Sequence, residues 1–134
     1  MNRRNSTSEG FTARPRRTPG GPQGNDRSNL MAELDALTRR INRIRTVAPG
    51  DFSDGAPEYD TACMVIIRIA ALLEREEHAN ALNVLTDEEK RAIRTTRNIA
   101  AHAGYRSMND ELLYLAVTRR IPGIIDRVKA NLHA

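Results

Sequence analysis

The sequence predicts an all-α fold: a bundle of four to five helices preceded by a disordered basic N-terminal tail. Three observations predict it. Apolar residues recur at spacings of three and four along most of the chain, and no window alternates at period two for long enough to form a strand. Aromatic residues make up only 4% of the 134 residues, so leucine, isoleucine, valine and alanine must build the core. This length predicts a single folded domain, residues 29–134.

Residues 1–28 are predicted to be disordered, because the stretch RPRRTPGGPQGNDRS offers almost nothing to bury. They carry six arginines and two acidic residues, whereas residues 29–134 carry 15 basic and 15 acidic residues. The net charge of +4 therefore belongs to the tail and does not show that the folded body has a basic face. The tail is interpreted either as a basic arm that approaches RNA or DNA, or as a solubilising segment or misassigned start before Met31.

The first helix is predicted to begin at Ser28 or Asn29, because an apolar stripe starts there, formed by Leu30, Leu34, Leu37, Ile41 and Ile44. The segment APGDFSDGAPEY ends this helix. The second helix is predicted from about Pro57, a residue type that suits the first helical turn, to about Glu77. Its middle, ACMVIIRIAALL, is apolar on most faces, which predicts the most buried helix. The only cysteine, Cys63, is interpreted as a buried small hydrophobe in a reducing cytoplasm.

The third helix is predicted to open at Thr86 with the sequence TDEE, a capping box in which the Glu89 side chain returns to the Thr86 amide. It is expected to end near His102, with Gly104 as the stop. Asn109 is predicted to cap the fourth helix, and Pro122 must kink or split that helix before its apolar stripe resumes.

Four side chains around the end of the third helix are not required for packing: Arg97, Asn98, His102 and Tyr105. Asn98 and His102 are four residues apart and share a helix face. Arg97 lies about 140° from His102 around an ideal helix. The two side chains can therefore meet at one ligand only if the helix ends before His102, or if two copies of the segment meet in a symmetric dimer.

Arg97 and His102 have the chemistry that RNA cleavage without a metal requires. A histidine titrates near neutrality and can move protons, a contribution of roughly 10²–10⁴-fold to a rate. An arginine fork can hold the charge that develops on a phosphate. The residues alone leave another interpretation open, in which Arg97 is solvated and His102 caps the helix C-terminus, where the helix dipole favours an imidazolium.

The other candidate residues have weaker signals. Arg91 and Arg94 lie along the third helix and are interpreted either as guides of a phosphate backbone towards the site or as partners of Glu88 and Asp87 in local ion pairs. His78, in EREEHANAL, and His133 are interpreted as solvated side chains. No metal site is predicted, because the acidic residues beside His78 spread around a helix.

The stretch RNIAAHAGYRSMNDELLY resembles the HepT-like branch of the HEPN superfamily, helical ribonuclease toxins with an Arg-polar-x-x-x-His motif. Arg97, Asn98 and His102 match that motif in order. The segment YDTACMVIIRIAALLE is similar to the second helix of the family, and NDELLYLAVTRRIPGIIDRV to its last helices. The resemblance covers about residues 29–132.

This resemblance implies a cytoplasmic, metal-independent endoribonuclease of a toxin–antitoxin or defence system, which cleaves RNA at a site formed across a homodimer and uses no cofactor. It also implies a nucleotidyltransferase-type antitoxin, which in some systems adenylylates a tyrosine two residues after the histidine. Gly104 occupies that position here, and the tyrosine follows at Tyr105. One position beyond the family's tyrosine, Tyr105 is expected to be a substrate contact or a modification site.

Two other classes of function stay open at this point. One is a non-catalytic HEPN-like helical adaptor that binds a partner protein, a nucleotide or a nucleic acid. The other is a nucleic-acid-binding protein that acts through the arginine-rich tail. A membrane span is not expected, because no apolar run approaches the roughly 20 residues that one needs. A secretory signal is not expected either, since no apolar segment follows the N-terminal arginines.

Overall fold

A computed structural model describes the backbone of residues 22–103 and 108–133, and the side chains of residues 24–102 and 108–133. Every regular element in these ranges is helical, which confirms the predicted all-α bundle. The five α-helices are α1 (Pro22–Ile44), α2 (Pro57–Leu73), α3 (Asp87–Asn98), α4 (Asp110–Leu115) and α5 (Ile121–Leu132). Two π-helical segments and three short 3-10 turns lie between them: Ile99–Ala103, Ala116–Arg120, Pro49–Asp51, Glu76–His78 and Ala81–Val84.

The first helix begins earlier than the sequence predicts. It starts at Pro22, so the predicted start at Ser28 or Asn29 is wrong; residues 1–21 lie outside the described part of the chain. The reason is that the apolar stripe, which marks where the helix becomes buried, starts only at Leu30. The turns before it are solvent-facing, and a proline suits their first position. Within the stripe the prediction is confirmed, because all five residues are buried: Leu30, Leu34, Leu37, Ile41 and Ile44.

The second helix is the centre of the bundle, as its sequence predicts. It packs against both α1 and α3. It ends at Leu73, earlier than the predicted Glu77, and 3-10 turns carry the chain on to α3. Its buried residues occupy most of its circumference: Tyr59, Ala62, Cys63, Val65, Ile66, Ile69, Ala70 and Leu72. A fully buried isoleucine or valine contributes about 1.5–3 kcal/mol, so this helix supplies much of the apolar stabilisation.

Three aromatic rings join the α1–α2 connection to α2 and α4. The Phe52 ring lies between Tyr59 and Tyr114, with ring centroids 5.0 and 5.2 Å away. The Tyr59 hydroxyl donates to Asp110 Oδ1 at 2.7 Å, and the Tyr114 hydroxyl donates to the Val47 carbonyl at 3.1 Å. Burial and the Asp110 carboxylate raise the pKa of Tyr59, so its phenol stays a donor. These contacts hold the start of α4 against the centre of the bundle.

Both predicted helix caps are confirmed. At the start of α3, Thr86 Oγ1 accepts from the Glu89 amide at 3.0 Å, and Glu89 Oε1 accepts from the Thr86 amide at 2.9 Å. At the start of α4, Asn109 Oδ1 accepts from the Leu112 amide at 3.0 Å. The Glu89 carboxylate also pairs with Arg127 of α5, so the capping box links α3 to the last helix.

The predicted break at Pro122 is confirmed and has an identifiable partner. The chain divides into α4 and α5, and the π-helical segment Ala116–Arg120 lies just before the proline. The Thr118 carbonyl would accept from residue 122 in an α-helix, but a proline has no N–H to donate. Arg45 Nη2, from the end of α1, donates to this carbonyl at 2.8 Å. The break leaves this buried carbonyl without its partner in the helix. A side chain from beside another helix supplies the hydrogen bond instead.

We expect Arg45→Ala to lower the free energy of unfolding by about 1–3 kcal/mol, because the Thr118 carbonyl loses its donor. In a Pro122→Ala background the same change should cost less, since an alanine at position 122 supplies an N–H. Urea denaturation of the four proteins measures both costs. Arg43→Ala is the control: this exposed arginine lies in the last turn of α1, and its loss should change stability by less than about 0.5 kcal/mol. Equal costs in both backgrounds would contradict this role of Arg45.

Candidate functional site

One face of α3 carries a line of polar side chains at helical spacing. They border a shallow cleft of about 320 Å³ and are Asp87, Lys90, Arg91, Arg94, Thr95 and Asn98. The side chains repeat at intervals of three and four, which places them on the same side of the helix. Three of the six are cationic and one is anionic. The structure therefore brings Arg91, Arg94 and Asn98 together, and it adds Lys90 and Thr95, which the sequence analysis did not select.

The two arginines of this cleft differ in their partners. Arg94 Nε lies 3.1 Å from Glu74 Oε2, and both side chains are about half exposed, so this ion pair is weak and exchangeable. Arg91 is exposed and makes no ion pair with any described residue. A phosphate could therefore contact Arg91 directly and could compete with Glu74 for Arg94.

At the end of α3, Arg97 and Asn98 contact each other. Arg97 is half-buried, and its Nε donates to Asn98 Oδ1 at 2.9 Å. The Asn98 side chain also lines the cleft, so this bond turns the arginine towards the face that carries Lys90, Arg91 and Arg94. A guanidinium bound by one edge keeps its other N–H groups available to an anion.

The helix changes its geometry at the site. The α-helix ends at Asn98, and a π-helical turn, Ile99–Ala103, carries His102. In a π-helix the hydrogen bonds join residues five apart, so the turn is wider and each residue rotates the chain less. Arg97 and His102 are five apart, and this turn therefore reduces the angle of about 140° that separates such positions in an ideal α-helix. The His102 side chain is exposed to solvent.

Two residues of the predicted site fall in the gap of the structure. Gly104, expected as the helix stop, and Tyr105, expected as a substrate contact or modification site, lie outside the described residues. The next helix is described from its cap, Asn109, onwards.

The prediction that His78 is solvated is wrong. Only 4% of the residue is exposed, whereas His133 is exposed as predicted. The cause is the early end of α2 at Leu73. Because the chain leaves the helix there, His78 lies in a 3-10 turn that packs beside α1, and not on the outer face of a longer α2.

Burial lowers the pKa of the His78 imidazole, because a desolvated environment disfavours its charged form. Arg75 acts in the same direction, and the carboxylates of Glu77 and Asp26 oppose it. The shift is downwards in total, so the buried ring is neutral at pH 7.

No group of three histidine, cysteine, aspartate or glutamate side chains in the described ranges is arranged to hold a metal ion. None of the helices in these ranges combines the length and the apolar character that crossing a membrane requires.

Comparison with known proteins gives no neighbour for the chain. No family model matches it, and neither a curated protein nor a solved structure is significantly similar to it.

The sequence did contain a signal for the cleft residues that were missed. Lys90 and Thr95 lie eight and three residues before Asn98, so projecting the helix backwards from Asn98 would have selected them. The π-helical turn had no comparable signal, because Ile99–Ala103 contains neither proline nor glycine.

Because the pKa of His78 is lowered in the folded state, protonation of this residue favours the unfolded chain. We expect the stability contributed by the neutral ring to be complete above about pH 7 and to decrease as the pH falls below the unfolded-state pKa near 6.5. Melting temperatures between about pH 5.5 and 8 should show this slope, and His78→Gln should flatten it. The control His133→Gln, at an exposed histidine, should retain it. An unchanged slope in the His78 variant would contradict the assignment.

Proposed function

We propose that this protein is a metal-independent endoribonuclease of the HEPN, HepT-like type, acting in a toxin–antitoxin or defence system. Arg97 and His102 are its catalytic residues. The observation that supports this best is the polar face of α3, where a cleft with three cationic side chains leads to Asn98 and the Arg97 bound to it. An exposed histidine follows on a π-helical turn, a geometry that occurs often at functional sites.

In the proposed reaction, His102 accepts the proton of the ribose 2′-hydroxyl while the 2′-oxygen attacks the adjacent phosphorus. The bond from phosphorus to the 5′-oxygen breaks, and an imidazolium returns a proton to that oxygen. The products are a 2′,3′-cyclic phosphate and a 5′-hydroxyl end. Arg97 pairs with the non-bridging oxygens as their charge increases, and Asn98 holds its guanidinium in position.

The cleft along α3 is proposed to hold the RNA strand before the cleaved bond. Lys90, Arg91 and Arg94 outnumber the two carboxylates beside them, Asp87 in the lining and Glu74 at Arg94, so a phosphate backbone meets a net positive surface. These contacts position the strand without reading its bases. A shallow, open cleft suits a single strand, which can lay successive phosphates along one helix.

The site is proposed to be completed in a homodimer, with Arg97 of one chain and His102 of its partner at each phosphate. A two-fold axis beside this segment brings both copies together. Leu112 supports such a contact, because its apolar side chain is 63% exposed ten residues after His102. The nucleotidyltransferase-type antitoxin, and Tyr105 as its acceptor, stay predictions of the family resemblance.

Purified protein is expected to cleave single-stranded RNA in EDTA. His102→Ala should lower the rate by at least about 10²-fold, because the proton-transfer group is lost. His133→Ala is the matched control, since it removes an exposed histidine from the end of α5 and should leave the rate unchanged. Gel assays with end-labelled RNA measure the rates, and far-ultraviolet circular dichroism checks the helix content. Cleavage that survives His102→Ala, or that stops in EDTA, would refute the proposal.

The composite site can be tested with two inactive variants. Mixing Arg97→Ala and His102→Ala should restore activity, because each mixed dimer contains one site with both native side chains. When equal amounts of the two variants exchange chains freely, half of the dimers are mixed. Each mixed dimer has one intact site out of two, so about a quarter of the native activity is expected. A mixture as inactive as its components would place Arg97 and His102 of one chain at the same site.

A further inference from the structure

A second cavity lies at the other end of the bundle from His102. It has a volume of about 670 Å³ and is formed by the start of α1, the connection between α2 and α3, and the end of α5. Asn83, in its wall, lies just before α3 begins, whereas His102 lies beyond the end of that helix. A rise of 1.5 Å per residue separates the two regions by about 20 Å. The cavity is therefore separate from the proposed catalytic residues Arg97 and His102.

His78 faces this cavity with unused hydrogen-bonding groups. The residue is 4% exposed and lines the cavity, and its ring makes no hydrogen bond to any residue in the described ranges. Burial lowers the pKa of the imidazole, so the neutral ring presents one donor and one acceptor. The ring nitrogens are therefore available to water or to a ligand in the cavity.

Two asparagines lie next to each other on the cavity wall, and hydrogen bonds to the backbone hold one of them, Asn131. Asn131 Nδ2 donates to the carbonyls of Asn80 and Ala81, both at 3.1 Å. The same nitrogen lies 3.4 Å from Asn83 Oδ1. Among the described residues, nothing else bonds to Asn131 Oδ1 or to Asn83 Nδ2. The wall therefore offers a free amide oxygen next to a free amide nitrogen.

The rest of the lining is apolar or balanced in charge. Leu30 and Leu132, both buried, are the two leucines of the lining. Asp26 and Arg27 carry opposite charges. The third charged side chain in the lining, Glu77, has its partner 2.9 Å away in Arg75. With a neutral His78, no surplus cation is left to hold a phosphate.

We propose that this cavity binds an uncharged purine, as the free base or the nucleoside. The edge of a purine carries both donors and acceptors, and amide groups pair with the N6 and N7 positions of adenine. Here the free acceptor is Asn131 Oδ1 and the free donor is Asn83 Nδ2. The volume is within the range of about 300–1,000 Å³ that is usual for small-molecule sites.

The probe for this site is adenosine, titrated into the full-length protein by calorimetry and by amide NMR. We expect one adenosine per chain, with shifts confined to residues 77–83, 131 and the start of α1, and AMP binding no tighter. Asn83→Asp keeps the oxygen near Asn131 and removes the free Nδ2 donor, so it should weaken binding by about tenfold, the loss of one hydrogen bond. Asn42→Asp is the matched control, because this exposed side chain needs only its oxygen to accept from Arg45.

A second variant avoids any loss of folding. Asn80→Ala removes a side chain from the lining but keeps the carbonyl that Asn131 requires, so the fold should be retained and binding weakened. Three results would overturn the proposal: no saturable binding of adenosine at millimolar concentration, AMP binding tighter than adenosine, or binding unaffected by either asparagine variant. None of these results depends on RNA cleavage, so the nuclease proposal is tested separately.

Discussion

The burial of α2 is the constraint on which the rest of the structure depends. Because most of its circumference is apolar, the other helices must cover it, and each can give only one face to the core. For α3 this leaves a polar side that points outwards and carries Lys90, Arg91, Arg94 and Asn98. The hydrogen bond from Tyr59 to Asp110, and the Phe52 ring between Tyr59 and Tyr114, hold α4 to the same central helix. The proposed site is thus built on a face that the core excludes.

The two π-helical segments have different origins. The segment Ala116–Arg120 precedes Pro122, which has no N–H to donate to the Thr118 carbonyl. Arg45 donates to this carbonyl instead. The proline and this contact from Arg45 together explain the break. The segment Ile99–Ala103 has no proline, and no side chain in the described ranges bonds to it. The hydrogen bonds of a widened turn have poorer geometry than those of an α-helix. That this turn carries His102 agrees with a local requirement of the proposed site.

Charge along α3 serves both stability and the proposed function. Its first turn holds Asp87, Glu88 and Glu89, and its last turn holds Arg97, an order that complements the helix dipole. This accounts for part of the charge pattern without any ligand. It does not account for the cleft, for the bond between Arg97 and Asn98, or for the exposed histidine that follows. The polar cavity at the other end of the bundle has balanced charges, so the two regions suit ligands of different charge.

The sequence by itself determined what depends on residues close together in the chain. The Thr86–Glu89 capping box, the Asn109 cap, the Leu30–Ile44 stripe and the break at Pro122 all involve atoms within a turn or two, so their residue types suffice to predict them. Only the tertiary structure decided which of the residues predicted to be solvated are buried, and where the helices end. His78 is buried because α2 ends early beside α1, and Tyr59 meets Asp110 across 51 residues. Such contacts depend on how whole helices pack, and no local spacing encodes that.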